Sequence, residues 1–328
     1  MQISKPAASL RGIVMLSLAA ALLPVAAVAQ DLPPDEAGAP GRLALSPRHG
    51  EWVRYDAGPG GSVEAWVSYP ERKDKAPVVI VIHEIFGLTD WARSVADQLA
   101  AEGFIAIAPD FLSGKAPDGK GGSAVLGPDG ARAAISKLDP PEIVRRLDGA
   151  ARYGTSLPGA TASYGVVGFC WGGGIAFAWA TQQPGLGAAV VYYGTSPATA
   201  SLTTVKAPVL GLYGGNDARV NATVPAAKAE LDRLGKRFET EFYEGAGHAF
   251  LRQQTGQAGA NVAATKAAWP RTLGFLRGAL ESKRAEADQV AATFLLAFSG
   301  SDDCLDACAV DAASASLAGD LAVAEAGL

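Results

Sequence analysis

Alternating and continuous apolar segments divide the chain into predicted strands and helices. Residues 51–56 and 63–69 alternate between apolar and polar side chains, a pattern typical of a β-hairpin. Nearly continuous apolar runs follow at 78–82 and 104–109, with a helical pattern at 91–102 between them. Strands that are apolar on both faces are typical of a parallel sheet covered by helices. We therefore expect an antiparallel hairpin that leads into a mostly parallel sheet.

The second half of the chain continues the alternation of helices and strands. Helical patterns cover residues 141–153, 222–235 and 266–280, apolar runs cover residues 165–167 and 208–213, and a strand-like run covers residues 237–243. The first of these helices starts at a proline, which lacks a backbone N–H and is tolerated in the first turn because N–H groups there have no partner within the helix. Strands that alternate with helices predict a doubly wound α/β fold.

The segment 168–172 reads Gly-Phe-Cys-Trp-Gly and joins a predicted strand to a predicted helix. A strand, a sharp turn with a nucleophile and a helix form the nucleophile elbow of α/β-hydrolases, here with Cys170 in place of the usual serine. Small residues are needed on both sides because a Cβ would collide with the strained turn. The alternative is that Cys170 is a small buried side chain in a glycine-rich turn.

An acid and a base follow Cys170 in the order of an α/β-hydrolase triad. Asp217 comes just after the apolar run 208–213, and His248 comes shortly after the run 237–243. Nucleophile, acid and base in that order, each near the carboxyl end of a predicted strand, predict a catalytic triad. The alternatives are a turn aspartate and a loop histidine.

Four segments together resemble the dienelactone hydrolase family. They are 83–87 (His-Glu-Ile-Phe-Gly), 168–173 (Gly-Phe-Cys-Trp-Gly-Gly), 214–217 (Gly-Gly-Asn-Asp) and 245–250 (Gly-Ala-Gly-His-Ala-Phe). The resemblance covers roughly residues 52–280, the length of a whole catalytic domain. It implies an α/β-hydrolase fold and an enzyme that hydrolyses carboxylic esters or lactones without a cofactor or metal.

The resemblance also implies roles for residues beside the nucleophile. Glu84 matches the family glutamate that contacts the cysteine and helps to switch it from thiol to thiolate; the alternative is a solvated loop carboxylate. A carboxylate beside sulfur disfavours the thiolate. The backbone N–H groups of Ile85 and Trp171 are expected to form the oxyanion hole.

Three further residues are expected to contact the substrate. Arg252 lies four residues after His248, where the family has an arginine that holds the substrate carboxylate; an ordinary surface arginine is the alternative. Tyr193 matches a family tyrosine near the same pocket, and Phe86 is expected to line it or simply to pack. The family's other substrate arginine has no clear equivalent in the segment 110–130, where Lys115 supplies only a point charge.

Composition narrows the possible functions. The chain has 328 residues and a net charge of −5, which suits one α/β domain with a core large enough to need no disulfides. It contains no basic block, so we expect no nucleic-acid partner. We expect a monomer that acts on a small ester or lactone.

The two ends of the chain differ in composition from the domain between them. Residues 1–29 combine a basic start, an apolar stretch and a small-residue cleavage site, which predicts a signal peptide cleaved after Ala29 rather than a membrane anchor. Residues 30–47 predict a loose linker, 48–282 the hydrolase domain and 283–328 an alanine-rich acidic extension. We expect a secreted or periplasmic protein without stable membrane insertion, in which Cys304 and Cys308 could form a disulfide.

The predicted chemistry is hydrolysis through a thioester on Cys170. His248, oriented by Asp217, would take the thiol proton and later activate water. Another secreted acyl hydrolase on this fold, such as a carbohydrate-ester deacetylase or a peptidase, is one alternative. A non-catalytic binding protein with a degenerate site is the other.

Overall fold

The computed structural model describes residues 31–281, which contain one eight-stranded mixed sheet. The strands are β1 (Gly50–Asp56), β2 (Ser62–Ser68), β3 (Ala76–Ile82), β4 (Ile105–Pro109), β5 (Ala160–Phe169), β6 (Ala188–Tyr192), β7 (Val209–Gly214) and β8 (Phe238–Tyr243). Their order across the sheet is β1-β2-β4-β3-β5-β6-β7-β8. The β1–β2 and β2–β4 pairs are antiparallel and the others are parallel, so the predicted fold class is confirmed.

Helices cover both faces of the sheet. They are α1 (Ala39–Ala44), α2 (Asp90–Ala101), α3 (Ser123–Ile135), α4 (Pro140–Ser156), α5 (Trp171–Ala180), α6 (Ala218–Asn221), α7 (Val224–Arg233) and α8 (Ala260–Leu280). Side chains of β3 alternate between two cores: Ile80 packs in the core that contains α4 and α5, and Val81 in the core that contains α2 and α8. Every residue of β3 is buried, as a central parallel strand requires. Each buried valine or isoleucine contributes about 1.5–3 kcal/mol to folding.

The segment predicted as a loose linker is ordered and packed from residue 31 onward. It contains α1, whose Ala39 is fully buried and whose Pro40 lies in the first turn, where proline is tolerated. Arg42 donates to Gln98 (2.8 Å), and Ser46 donates to Asp97 (2.6 Å), so the segment is tied to α2. Its proline- and glycine-rich composition is typical of linkers, but these contacts fix it to α2. The prediction of a loose linker therefore does not hold for the described part of this segment.

The glycine- and proline-rich stretch after β4 also contains structure that its composition hides. Helix α3 begins at Ser123 and is interrupted at Gly127, which has a φ of 63° and precedes Pro128. The Asp110 side chain holds this region together because it accepts hydrogen bonds from the Ser123 N–H (2.8 Å), the Ser123 hydroxyl (2.5 Å) and the Leu112 N–H (2.9 Å). Hydrogen bonds to the buried Asp110 carboxylate, rather than hydrogen bonds of a regular strand or helix, thus hold this stretch in place.

The predictions for the chain ends lie outside the described residues. They are the signal peptide, the extension 283–328 and the cysteine pair at 304 and 308. Between residues 31 and 281, no helix has both the length and the apolar character needed to cross a membrane.

Candidate active site

Cys170 occupies a sharp turn between β5 and α5. Its φ of 55° and ψ of −115° lie in a region that costs a non-glycine residue about 1–3 kcal/mol. A Cβ added to Gly168 would lie 2.0 Å from the carbonyl oxygen of Gly172, and one added to Gly172 would lie 2.4 Å from the carbonyl oxygen of Ile82. Side chains are therefore excluded on both sides, and the turn presents the sulfur at the carboxyl edge of the sheet.

The structure brings Cys170, Asp217 and His248 together. His248 Nε2 lies 3.0 Å from Cys170 Sγ, and His248 Nδ1 lies 2.5 Å from Asp217 Oδ2. The other carboxylate oxygen of Asp217 accepts from the Val220 N–H at 3.4 Å, which caps α6 and orients the side chain. This geometry can pass a proton from sulfur to imidazole while the carboxylate fixes the imidazole tautomer.

Glu84 is a buried carboxylate near the sulfur. Its Oε2 accepts from Arg252 Nε at 2.6 Å, whereas its Oε1 is buried without a hydrogen-bond partner. Burial raises the pKa of Glu84, and the Arg252 guanidinium opposes that rise. A buried carboxyl with one unpartnered oxygen can accept a proton.

The sulfur of Cys170 favours its protonated form. Burial and, secondly, the Glu84 carboxylate raise the pKa of the Cys170 thiol to about 11, against the opposing effects of the Trp171 N–H, Arg219 and Arg252. At neutral pH the resting sulfur is therefore a thiol, 3.0 Å from His248 Nε2.

The two residues predicted to supply the oxyanion hole both lie beside the nucleophile candidate. Ile85 and Trp171 both line the cavity next to Cys170, and the Trp171 N–H interacts with the sulfur. The Ile85 N–H donates to no backbone carbonyl in the part of the chain that the structure describes. Both groups can therefore serve as donors to a bound molecule.

His83 holds the loop between β3 and α2, a role that the sequence did not reveal. It is fully buried, its Nδ1–H donates to the Glu84 carbonyl oxygen (2.7 Å), and its Nε2 accepts from the Phe111 N–H (3.2 Å). Its ring stacks on that of Trp171, with centroids 5.8 Å apart. Burial lowers the pKa of His83, which is consistent with a neutral ring that fixes the loop bearing Glu84 and Ile85.

A cavity of about 490 Å³ opens beside Cys170. Its apolar wall consists of the side chains of Ile85, Trp171, Ile175, Ala178, Pro197 and Val220. Arg219, on α6, is the one lining residue with a permanent charge, and no ion pair of the described residues involves it. Arg219 was missed from the sequence, although its position two residues after Asp217 places it beside the predicted triad.

The three predicted substrate contacts occupy different surroundings. Tyr193 lines the cavity, with its ring edge-on to His248 at 5.1 Å and its hydroxyl buried without a partner. Phe86 and Arg252 are not among the lining residues of this cavity. The Arg252 guanidinium is paired with Glu84 and Glu36 and lies 4.8 Å from the centre of the Phe86 ring.

Lys115, the cation considered in place of the family's second substrate arginine, does not line the cavity beside Cys170. It donates to Glu142 at 2.8 Å and lines a different cavity, together with Arg54 and Arg146. Within residues 31–281, no group of three or more histidine, cysteine or acidic side chains is arranged to hold a metal ion.

The sequence and the fold are both similar to those of known proteins. Residues 63–280 match the sequence model of the dienelactone hydrolase family. The chain is 32% identical over 234 residues to a carboxymethylenebutenolidase of Pseudomonas putida, covering 69% of this chain and 94% of that protein. It is 33% identical over 228 residues to a candidate carboxymethylenebutenolidase of Salmonella typhimurium, covering 65% and 82% of the two chains. A crystal structure of a candidate dienelactone hydrolase from Klebsiella pneumoniae superposes with a TM-score of 0.60 at 29% identity, covering 69% and 98%.

Proposed function

We propose a mechanism for this chain, which belongs to the dienelactone hydrolase family and is a hydrolase of esters or lactones. In this mechanism Cys170 is the nucleophile and carries the acyl group as a thioester. The observation that supports this most is the pair of contacts made by His248, at 3.0 Å to sulfur and 2.5 Å to Asp217. Sulfur, imidazole and carboxylate in contact are the arrangement that activates a nucleophile.

Acylation begins with the thiol proton. His248 takes this proton from Cys170, and the sulfur attacks the carbonyl carbon to form the S–C bond. The N–H groups of Ile85 and Trp171 hold the oxyanion. When the C–O bond of the ester breaks, His248 gives the proton to the leaving oxygen, which in a lactone remains tethered to the acyl chain.

Deacylation uses water in place of the thiol. His248 takes a proton from water, the resulting hydroxide attacks the thioester carbon, and the S–C bond breaks. The sulfur leaves as thiolate and recovers the proton from His248, so the thiol of the resting enzyme is restored. The carboxylic acid product ionises in water.

Glu84 supplies the means to keep the sulfur unreactive until substrate is present. In the resting arrangement its charge is held by Arg252 at 2.6 Å and its carboxylate disfavours the thiolate. A substrate that weakens the Arg252 contact leaves Glu84 a buried carboxylate without a cation, which favours its protonation. A neutral Glu84 no longer raises the pKa of Cys170, and the thiolate becomes accessible.

Arg219 is the residue that we propose binds an anionic group on the substrate. The other lining residues are apolar or, like Tyr193, Thr195 and Ser196, polar without a permanent charge, so a ligand carboxylate has one cation to approach. A hydrogen bond to a charged partner is worth about tenfold to a hundredfold in binding. Arg252, Phe86 and Tyr193 remain proposed substrate-binding residues, and of these Tyr193 lines the cavity.

We propose that residues 1–29 are a signal peptide that is cleaved after Ala29, and that the protein is exported as a monomer. The basis is the basic start, apolar stretch and small-residue site of residues 1–29. N-terminal sequencing of protein recovered from the periplasm or medium would give Gln30 as the first residue. An intact Met1 would contradict the proposal.

Replacement of the nucleophile tests the proposed chemistry. We expect Cys170→Ala to abolish hydrolysis of p-nitrophenyl acetate and of a lactone panel while the far-ultraviolet circular dichroism stays unchanged. Asn216→Ala, which alters the residue next to Asp217 but no triad atom, serves as the control and should keep most of the activity. Full activity in Cys170→Ala would reject the cysteine mechanism.

A further inference from the structure

Residues 32–36 form a strap, here called the N-terminal strap, across the loop that follows His248. The Glu36 N–H donates to the Arg252 carbonyl oxygen at 2.9 Å, and the Gln254 side chain donates to the Pro33 carbonyl oxygen at 2.9 Å. The Trp91 indole donates to the Pro34 carbonyl oxygen at 3.2 Å. These hydrogen bonds attach the strap both to the loop that follows His248 and to α2.

Glu36 also connects the strap to the charged groups of the site through an ion pair. Its carboxylate pairs with Arg252 Nη1, while Arg252 Nε pairs with Glu84 at 2.6 Å. Glu36 is 57% exposed, whereas Arg252 and Glu84 are 9% and 3% exposed. One buried guanidinium is therefore shared between a carboxylate at the surface and a carboxylate in the site.

Two carboxylates that share one guanidinium leave one negative charge in excess. Glu84 faces Arg252, His248 and Tyr193. The charged and titratable neighbours of the Cys170 sulfur are Glu84, His248, Tyr193, Arg219 and Arg252. In this resting arrangement Arg252 Nε stays on Glu84 and favours its ionised form, while the Glu36 charge offsets part of the positive charge that the guanidinium presents to Glu84 and to the sulfur.

We infer that Glu36 is a positioning residue that holds Arg252 between two carboxylates and thereby keeps the sulfur of Cys170 protonated at rest. Through Glu36, the N-terminal strap, which lies outside the sheet, influences the reactivity of Cys170. The inference rests on the proposed function only in taking Cys170 as the nucleophile.

The test compares two charge-neutralising substitutions on the same segment of the full-length protein. Glu36→Gln keeps an acceptor oxygen for Arg252 but removes the charge. Asp35→Asn removes the same charge one residue away, where the carboxylate only accepts from the Gly38 N–H. The readout is the rate at which iodoacetamide alkylates Cys170, followed by peptide mass spectrometry across a range of pH.

We expect Glu36→Gln to be alkylated about two- to fivefold faster than wild type near neutral pH, the size of effect known for a partly exposed ion pair. Its pH profile should move to lower pH. Asp35→Asn and the charge-retaining Glu36→Asp should match wild type. A Glu36→Gln profile equal to that of Asp35→Asn, or a slower rate, would overturn the inference.

This result is separable from the test of the catalytic mechanism. Alkylation reports the ionisation of Cys170 without any turnover, whereas the mechanism depends on loss of esterase activity in Cys170→Ala. A purely structural role of Glu36 would change the melting temperature and leave the pH profile of alkylation in place, which also counts against the inference.

Discussion

The loop after His248 and the short helix after Asp217 each carry an arginine near Cys170, but their surroundings are opposite. Arg252 is buried and paired with Glu84 and Glu36, whereas Arg219 is exposed, lines the cavity and forms none of the ion pairs of residues 31–281. A guanidinium that already serves two carboxylates is poorly available to a third. The comparison indicates that Arg252 sets the charge state of the site, whereas Arg219 is the cation that is open to a carboxylate entering the cavity.

The largest expected effect is on stability, from removal of Arg252. Arg252→Ala leaves the buried Glu84 without a cation, which costs about 3–5 kcal/mol for a broken buried pair. Denaturant unfolding at neutral pH measures this cost, and Arg219→Ala is the matched control with little expected change.

The destabilisation in Arg252→Ala should depend on pH in a defined direction. Because the folded pKa of Glu84 is raised, the folded state binds more protons than the unfolded state, so stability is lost as the pH rises from the unfolded towards the folded pKa. The cost should therefore shrink on acidification. Equal stability of the two arginine variants at neutral pH would contradict the distinction between them.

The second effect concerns catalysis by Arg219→Ala. We expect kcat/KM for carboxylate-bearing esters to fall about tenfold to a hundredfold, because a charge-assisted hydrogen bond is lost. Neutral esters should lose far less. Arg233→Ala, on α7 and paired with Glu230, provides a surface-arginine control. A uniform loss for charged and neutral esters would show that Arg219 does not read substrate charge.

The third effect is a change in the ionisation of the sulfur. Glu84→Gln removes a carboxylate that raises the pKa of the Cys170 thiol, so the pKa should fall below its resting value of about 11. Alkylation at mildly alkaline pH should become several times faster. An unchanged or higher midpoint would indicate that Glu84 does not govern the sulfur.

The smallest effect is expected from Phe86→Leu. The Phe86 ring lies 4.8 Å from the Arg252 guanidinium, and such a cation–π contact is worth about 0.5–1 kcal/mol at a partly exposed site. Thermal unfolding should show a small loss of stability with the substrate preference unchanged. A marked change in KM instead would place Phe86 at the substrate.

The sequence predicted the sheet and the meeting of Cys170, Asp217 and His248 because both depend on local patterns. Apolar strands alternate with helices, and a parallel sheet brings the carboxyl ends of its strands to one edge. The three residues follow such ends, so their order in the chain was sufficient to predict their contact.

The pairing of Arg252 could not be predicted in the same way. It depends on Glu36, which lies 216 residues away in a proline-rich segment whose composition suggested a linker. Arg219 was missed because its proposed role depends on which side of α6 borders the cavity and on its forming none of the ion pairs of residues 31–281. Order in that linker and in α3 arises from tertiary hydrogen bonds, which no local pattern reports.

The most direct test of Cys170 as the acyl carrier is the intact mass of the enzyme during turnover of slowly hydrolysed aryl esters. We predict an adduct of the acyl mass that maps to the peptide containing Cys170, is released by hydroxylamine and is absent in Cys170→Ala. Turnover with no adduct under rapid acid quenching, or an adduct that persists in Cys170→Ala, would contradict a thioester on this residue.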